Sequence, residues 1–151
     1  MDQSPISFQY KEDEEFFSKL LNQKEVLNSN YKDLFDFRDP LIKRKEFNKK
    51  RNGLFKQLKS KFGESCSLKL DCCDVSSGFV IDHVIPLSSN ILNKNLRDVR
   101  PPKGKKVPSQ SFGSNNIENL VLSCNSCNNF KKHKFLDEVR MRRLLEFRKG
   151  C

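Results

Sequence analysis

A chain of 151 residues with a net charge of +10 and 36% apolar residues can form one compact domain, but it has little apolar material with which to build a core. No run approaches the roughly 18 apolar residues that a membrane span requires, and the polar, acidic start MDQSPISFQYKEDEE is unlike a targeting segment, so a cytoplasmic protein with no membrane partner is expected. In that compartment, six cysteines point to metal or free thiols before disulfides.

The charge is unevenly spread. Residues 1–39 hold nine acids against five bases, a balance of −4, which leaves +14 on residues 40–151. Such a body attracts polyanions, nucleic acid first among them. Residues 1–10 read as a loose arm. Over 12–36, Phe16, Phe17, Leu20, Leu21 and Leu27 follow helical spacing. Pro40 breaks or starts an element. From Leu41 to Phe62, one stripe of Phe47, Leu54, Phe55, Leu58 and Phe62 predicts a second helix, with Asn52-Gly53 as a candidate interruption. Nine bases between Lys43 and Lys61 face one acid, Glu46. That run is either a solvated face or a nucleic-acid contact through residues such as Lys50 and Arg51.

After Ser65 the texture changes. Residues 67–70 and 79–81 are short β-like runs joined by a turn-rich connector. Residues 88–118 read as a long irregular stretch with Arg97, Arg100, Lys105 and Lys106 among prolines and glycine, either a backbone-contact loop or a floppy insertion. Residues 119–122 form another strand-like run. Residues 125–148 read as a helix in two pieces, broken near His133-Lys134, with Leu136, Val139, Leu144 and Phe147 on an apolar side. His133 is expected to be merely exposed.

Three fragments belong together: Val80-Ile81-Asp82-His83-Val84-Ile85-Pro86-Leu87, Asn119 to Cys124, and Cys124 to Lys131. Phosphodiester hydrolysis needs a water, a base to deprotonate it, and a cation to neutralise developing charge. Histidine is the natural base near neutral pH, and a carboxylate with an amide oxygen suits Mg²⁺. Consecutive strand residues point to opposite faces, so Asp82 and His83 can share a site only at a strand end. Pro86 and Ser88-Ser89-Asn90 supply a turn nearby, and Asn128 near a helix start can project to the same point.

The pattern D-H-V-I-P-L, N-L-V-L-S-C and C-N-x-x-K resembles the HNH nuclease family over about residues 66–135. The resemblance implies an α+β fold: a small ββα-metal core with a zinc site, flanked by N-terminal and C-terminal helices. It would divide the chain into a helical extension, 1–62, and a nuclease domain, 63–151. By the same resemblance, His83 is the general base, Asp82 and Asn128 hold a catalytic Mg²⁺ or Mn²⁺, Asn119 braces the loop and orients the histidine, and Lys131 lies near the phosphate or supports the helix. Many members add a structural Zn²⁺ between two CxxC knuckles. Cys124 and Cys127 match the second. The first departs from the pattern, with Cys66 and Cys73 as the expected partners and Cys72 as the alternative to Cys73. Cys151 is expected to be free.

The implied activity is a sequence-specific, metal-dependent DNA endonuclease of restriction type acting on double-stranded DNA, with a homodimer as one route to cutting both strands. Homing, phage-type nicking, non-specific and toxin-type nucleases stay open. Lys131, Arg100, Lys105, Lys106, Lys50 and Arg51 would hold DNA, with Arg140, Arg142 and Arg143 nearby. The alternative of a different class is a zinc-containing DNA-binding module without catalysis.

Overall fold

The computed structural model describes residues 7–149, without the side chain of Lys149. Residues 1–6 of the expected arm and Cys151 lie outside the described residues. The fold is α+β. In chain order it runs α1 (Lys11–Leu21), α2 (Pro40–Phe62), β1 (Phe79–His83), β2 (Ser88–Ser89), α3 (Ile91–Asn95), β3 (Gln110–Ser111), β4 (Leu120–Cys124), α4 (Asn125–Lys131) and α5 (Glu138–Lys149), with short 3₁₀ turns between. No helix among the described residues is long and apolar enough to cross a membrane.

Each helix ends for a local reason. The helix expected over 12–36 stops at Leu21, because Asn22 takes the left-handed conformation at φ 54° and its N–H bonds back to α1. Leu27 then sits in a 3₁₀ turn, Val26–Asn28, and not on that helix. α2 begins on the Asp39 carboxylate, which accepts from the Leu41 N–H, with Pro40 at the first helical position. Asn52-Gly53 does not interrupt it. The expected single break in the last helix is real, and α5 restarts where the Asp137 carboxylate accepts from the Arg140 N–H at 2.8 Å.

β1 and β4 form an antiparallel ribbon with Phe79 opposite Cys124 and His83 opposite Leu120. Residues 67–70 are not a strand, although the Ser67 N–H bonds the Leu122 carbonyl at 2.9 Å. The long stretch 88–118 is less irregular than expected, since β2 and β3 pair within it and α3 lies between them.

The ribbon separates two apolar clusters. On one face, Leu120 and Leu122 pack with Phe47 and Leu58 of α2. On the other, Val121 joins a larger cluster containing Phe17, Phe35, Leu92, Phe112 and Met141. Phe8, in the segment expected to be a loose arm, stacks on Phe17 at 5.6 Å and meets Phe35 edge-on at 5.3 Å. Val139 and Phe147, expected on the apolar side of α5, are exposed, while Met141 and Leu144 are buried.

Several of the cations hold the fold. Lys43 is fully buried and its ammonium donates to the carbonyls of Asp36, Leu87 and Gly113 at 2.6, 2.9 and 2.6 Å. All three of its protons are thereby used. Gly113 is required there, because a Cβ would fall 1.8 Å from the Ile85 carbonyl oxygen. Arg97, read from the sequence as part of a basic loop, turns inward to buried Asp13 at 2.7 Å and lies over the Tyr10 ring at 4.0 Å. Glu46, the lone acid of the basic run, is held with Asp36 by Arg38.

Candidate metal centre and active site

The Sγ atoms of Cys66, Cys73, Cys124 and Cys127 lie within 4.8 Å of one another. A tetrahedral zinc with Zn–S bonds of roughly 2.3 Å places its sulfurs about 3.8 Å apart, and Cys73 and Cys124 are 3.9 Å apart. The cluster is compatible with a structural metal such as zinc. Cys72 stays exposed, directed to the Ser126 carbonyl, so of the two upstream candidates it is Cys73 that joins. Sequence spacing could not choose between them, because the choice depends on how the connector folds over α4. Burial opposes ionisation of Cys124, yet N–H groups of Asp74 and Cys127, each 3.4 Å from its sulfur, help bring its pKa down to about 6. Burial pushes the Cys73 thiol up to about 11 and raises Cys127 as well. A thiolate seated among thiols is a starting point for metal uptake.

At the opposite end of the ribbon lie Asp82, His83 and Asn119. Asn119 is fully buried. Its Oδ1 accepts from the Ile85 N–H at 2.8 Å, and its Nδ2 donates to the carbonyls of Ile85 and Ser114, both at 2.9 Å. The side-chain amide thus continues the ladder for one more residue, satisfying both backbone groups of Ile85 where the strands part.

Orientation of the histidine comes from another residue. His83 Nε2 lies 2.9 Å from Asn115 Oδ1. Asn115 Nδ2 donates to the Lys43 carbonyl at 2.7 Å, which fixes the amide with its oxygen towards the imidazole. The oxygen can only accept, so the ring carries its proton on Nε2 and leaves Nδ1 as the lone-pair nitrogen. Phe47 packs edge-on against the ring at 4.7 Å. Burial lowers the His83 pKa to about 4; the Asn115 bond opposes this, and the charges of Arg44, Lys131 and Lys43 add to it. The imidazole is therefore neutral across the physiological range.

Asp82 leaves the strand on the other face and is buried. The Lys131 ammonium, equally buried, stands 3.1 Å from its Oδ2 and donates to the His83 carbonyl at 2.9 Å. The two form a buried ion pair, and Oδ2 has no other partner among the described residues. Burial raises the Asp82 pKa, with Lys131 pulling the other way. Asn128 is half-buried, one turn before Lys131 on the same face of α4. Neither Asp82 nor Asn128 hydrogen-bonds the imidazole.

The remaining cations expected to meet nucleic acid are at the surface. Lys50, Arg51, Arg100, Lys105 and Lys106 are exposed. Arg51 lies 5.8 Å over the Phe47 ring, which itself contacts His83, so the basic face of α2 borders the imidazole. Arg100 and Lys105 to Lys106 sit in the irregular part of the 96–109 loop. Arg140 is committed to Asp137, while Arg142 and Arg143 are exposed. His133 is exposed as expected.

Comparison with family models, with curated proteins and with solved structures finds no match for this chain.

Proposed function

We propose that this protein is a metal-dependent DNA endonuclease in which His83 is the general base. The observation that carries the reading is the Lys43–Asn115–His83 chain of hydrogen bonds, which orients a neutral imidazole at a strand end bordered by the basic face of α2.

The Asp82 carboxylate and the amide oxygen of Asn128 are the hard ligands a divalent ion such as Mg²⁺ prefers, and an ion there would displace the Lys131 ammonium from Oδ2. When bound there, the ion supplies neutralisation of the charge that builds on the phosphate and its leaving oxygen. The chain's own residues do the rest. His83 takes the proton of the attacking water at Nδ1 while Asn115 accepts a hydrogen bond from Nε2–H and keeps the ring from turning. A phosphate approaching the imidazole adds negative charge, which lifts the low proton affinity of the ring just when a proton must be accepted. The exposed bases of α2 hold the backbone on the His83 side. The four thiols would hold Zn²⁺, and the resemblance to HNH nucleases agrees with both metals. Within that class, restriction-type cutting of double-stranded DNA, with two copies for two strands, is the reading we prefer.

A second reading, a zinc-containing DNA-binding module without catalysis, is favoured by one observation: the Lys131 ammonium already neutralises Asp82. Digestion of a long sequenced DNA by full-length protein with Mg²⁺ or Mn²⁺ separates the two. Discrete fragments support the nuclease. His83→Ala should then lose cleavage by at least about 100-fold while still shifting DNA in a gel. Intact DNA under every metal condition, with binding retained, establishes the second reading.

A further inference from the structure

A pocket of about 300 Å³ opens beside the end of α4, with Lys131 in its lining. Lys131 also stands against Asp82, so the pocket adjoins the candidate site. Its rim carries Phe130, which is 61% exposed although it is a large aromatic side chain in a chain short of apolar residues. The Lys134 ammonium lies 5.2 Å from the centre of that ring. Leu136 supplies an apolar wall. Arg140 also lines the pocket, its guanidinium held between the Asp137 and Asp71 carboxylates.

We propose that this pocket receives one unpaired nucleobase of the bound DNA, next to the phosphate engaged at Asp82. The inference rests on nucleic acid as the substrate proposed above, and it does not require cleavage. An aromatic face with a cation beside it is a stacking platform for a base and its phosphate. The carboxylates at one edge match the amino group of a base edge. A base inside a duplex presents neither its face nor its free edge to such a pocket, so the occupant is extruded from the helix or comes from a frayed or single-stranded segment. The +14 balance of the body in which the pocket lies makes a polyanion its natural visitor.

The test uses full-length protein without added divalent ions and a single-stranded oligonucleotide carrying one 2-aminopurine. Binding should quench the probe, and Phe130→Ala should weaken binding about 10-fold and abolish the quench. Phe130→Tyr should restore both, which separates stacking from misfolding. A Phe130→Ala protein that binds and quenches like wild type overturns the proposal. So does a 2-aminopurine nucleoside monophosphate that binds as tightly as the oligonucleotide, since the pocket would then serve free nucleotides. Quenching by a protein that never cuts DNA leaves the pocket standing while the nuclease reading falls.

Discussion

The two ends of the β1–β4 ribbon are held by different chemistry. At the Phe79–Cys124 end, four thiols converge beside the Asn125 amide, which donates to the Ser77 carbonyl. At the His83–Leu120 end, Asn119, Asn115 and Lys43 bind backbone groups, and a buried carboxylate is paired with the Lys131 ammonium. The first end is compatible with a structural metal such as zinc, and the second is held by side chains that bond the backbone. The largest expected effect tests the first half of that contrast. Purified protein should carry about one zinc per chain, and Cys127→Ser should lower Tm by more than about 15 °C, since a structural zinc contributes several kcal/mol to folding. A metal-free protein with an unchanged Tm would remove the contrast.

Next in size is Asn119→Ala. It strips partners from the Ile85 N–H and from the Ile85 and Ser114 carbonyls, all beside a fully buried side chain. Buried groups left unpaired cost about 1–3 kcal/mol each, so a loss of about 3–5 kcal/mol in urea unfolding is expected. A loss below about 1 kcal/mol would mean that water replaces the amide and that this end is not rigidly held.

What the sequence made legible is what spacing alone encodes. α2 follows from one apolar stripe, and Cys124 and Cys127 are one helical turn apart. Asp82, His83 and Asn119 stand out by motif. What was hidden depends on residues distant along the chain. Asn115 acquires its role from the Lys43 carbonyl, 72 residues away, and only the Ser114-Asn115-Asn116 cluster just before Asn119 hinted at it. Lys43 looked like any other base in a solvated run, because nothing local reveals that three carbonyls surround it. Residues 67–70 looked like a strand, but their apolar side chains pack against the core without a second strand to pair with.

The second end also sets a pH dependence. The folded protein resists protonating His83 until about pH 4, whereas the unfolded chain takes up that proton near 6.5. Between those values the unfolded state binds more protons, so this residue's contribution rises with pH, is complete above about 6.5, and is lost as pH falls through the window. At about 1.4 kcal/mol per pKa unit it amounts to at most about 3 kcal/mol. Asp82, with its raised pKa, acts in the opposite sense, so the comparison is between wild type and His83→Gln. The variant should lose most of the rise in stability between pH 4 and 6.5. Parallel pH profiles would mean that the imidazole is solvated and not held by Asn115.

The smallest expected change in stability comes from the bases that the fold leaves outside. Lys50 and Arg51 belong to the same run as Lys43, yet they are exposed while Lys43 is buried. If the exposed ones serve only to hold phosphates, Lys50→Ala with Arg51→Ala should alter stability by less than about 0.5 kcal/mol. DNA affinity should fall for every sequence alike, and the slope of log K against log salt should become shallower by about 2, one counterion for each lost contact. An unchanged slope would place the phosphate path elsewhere, towards Arg100, Lys105 and Lys106. The basic stretch of α2 would then contribute to this protein through Lys43 alone, from the inside.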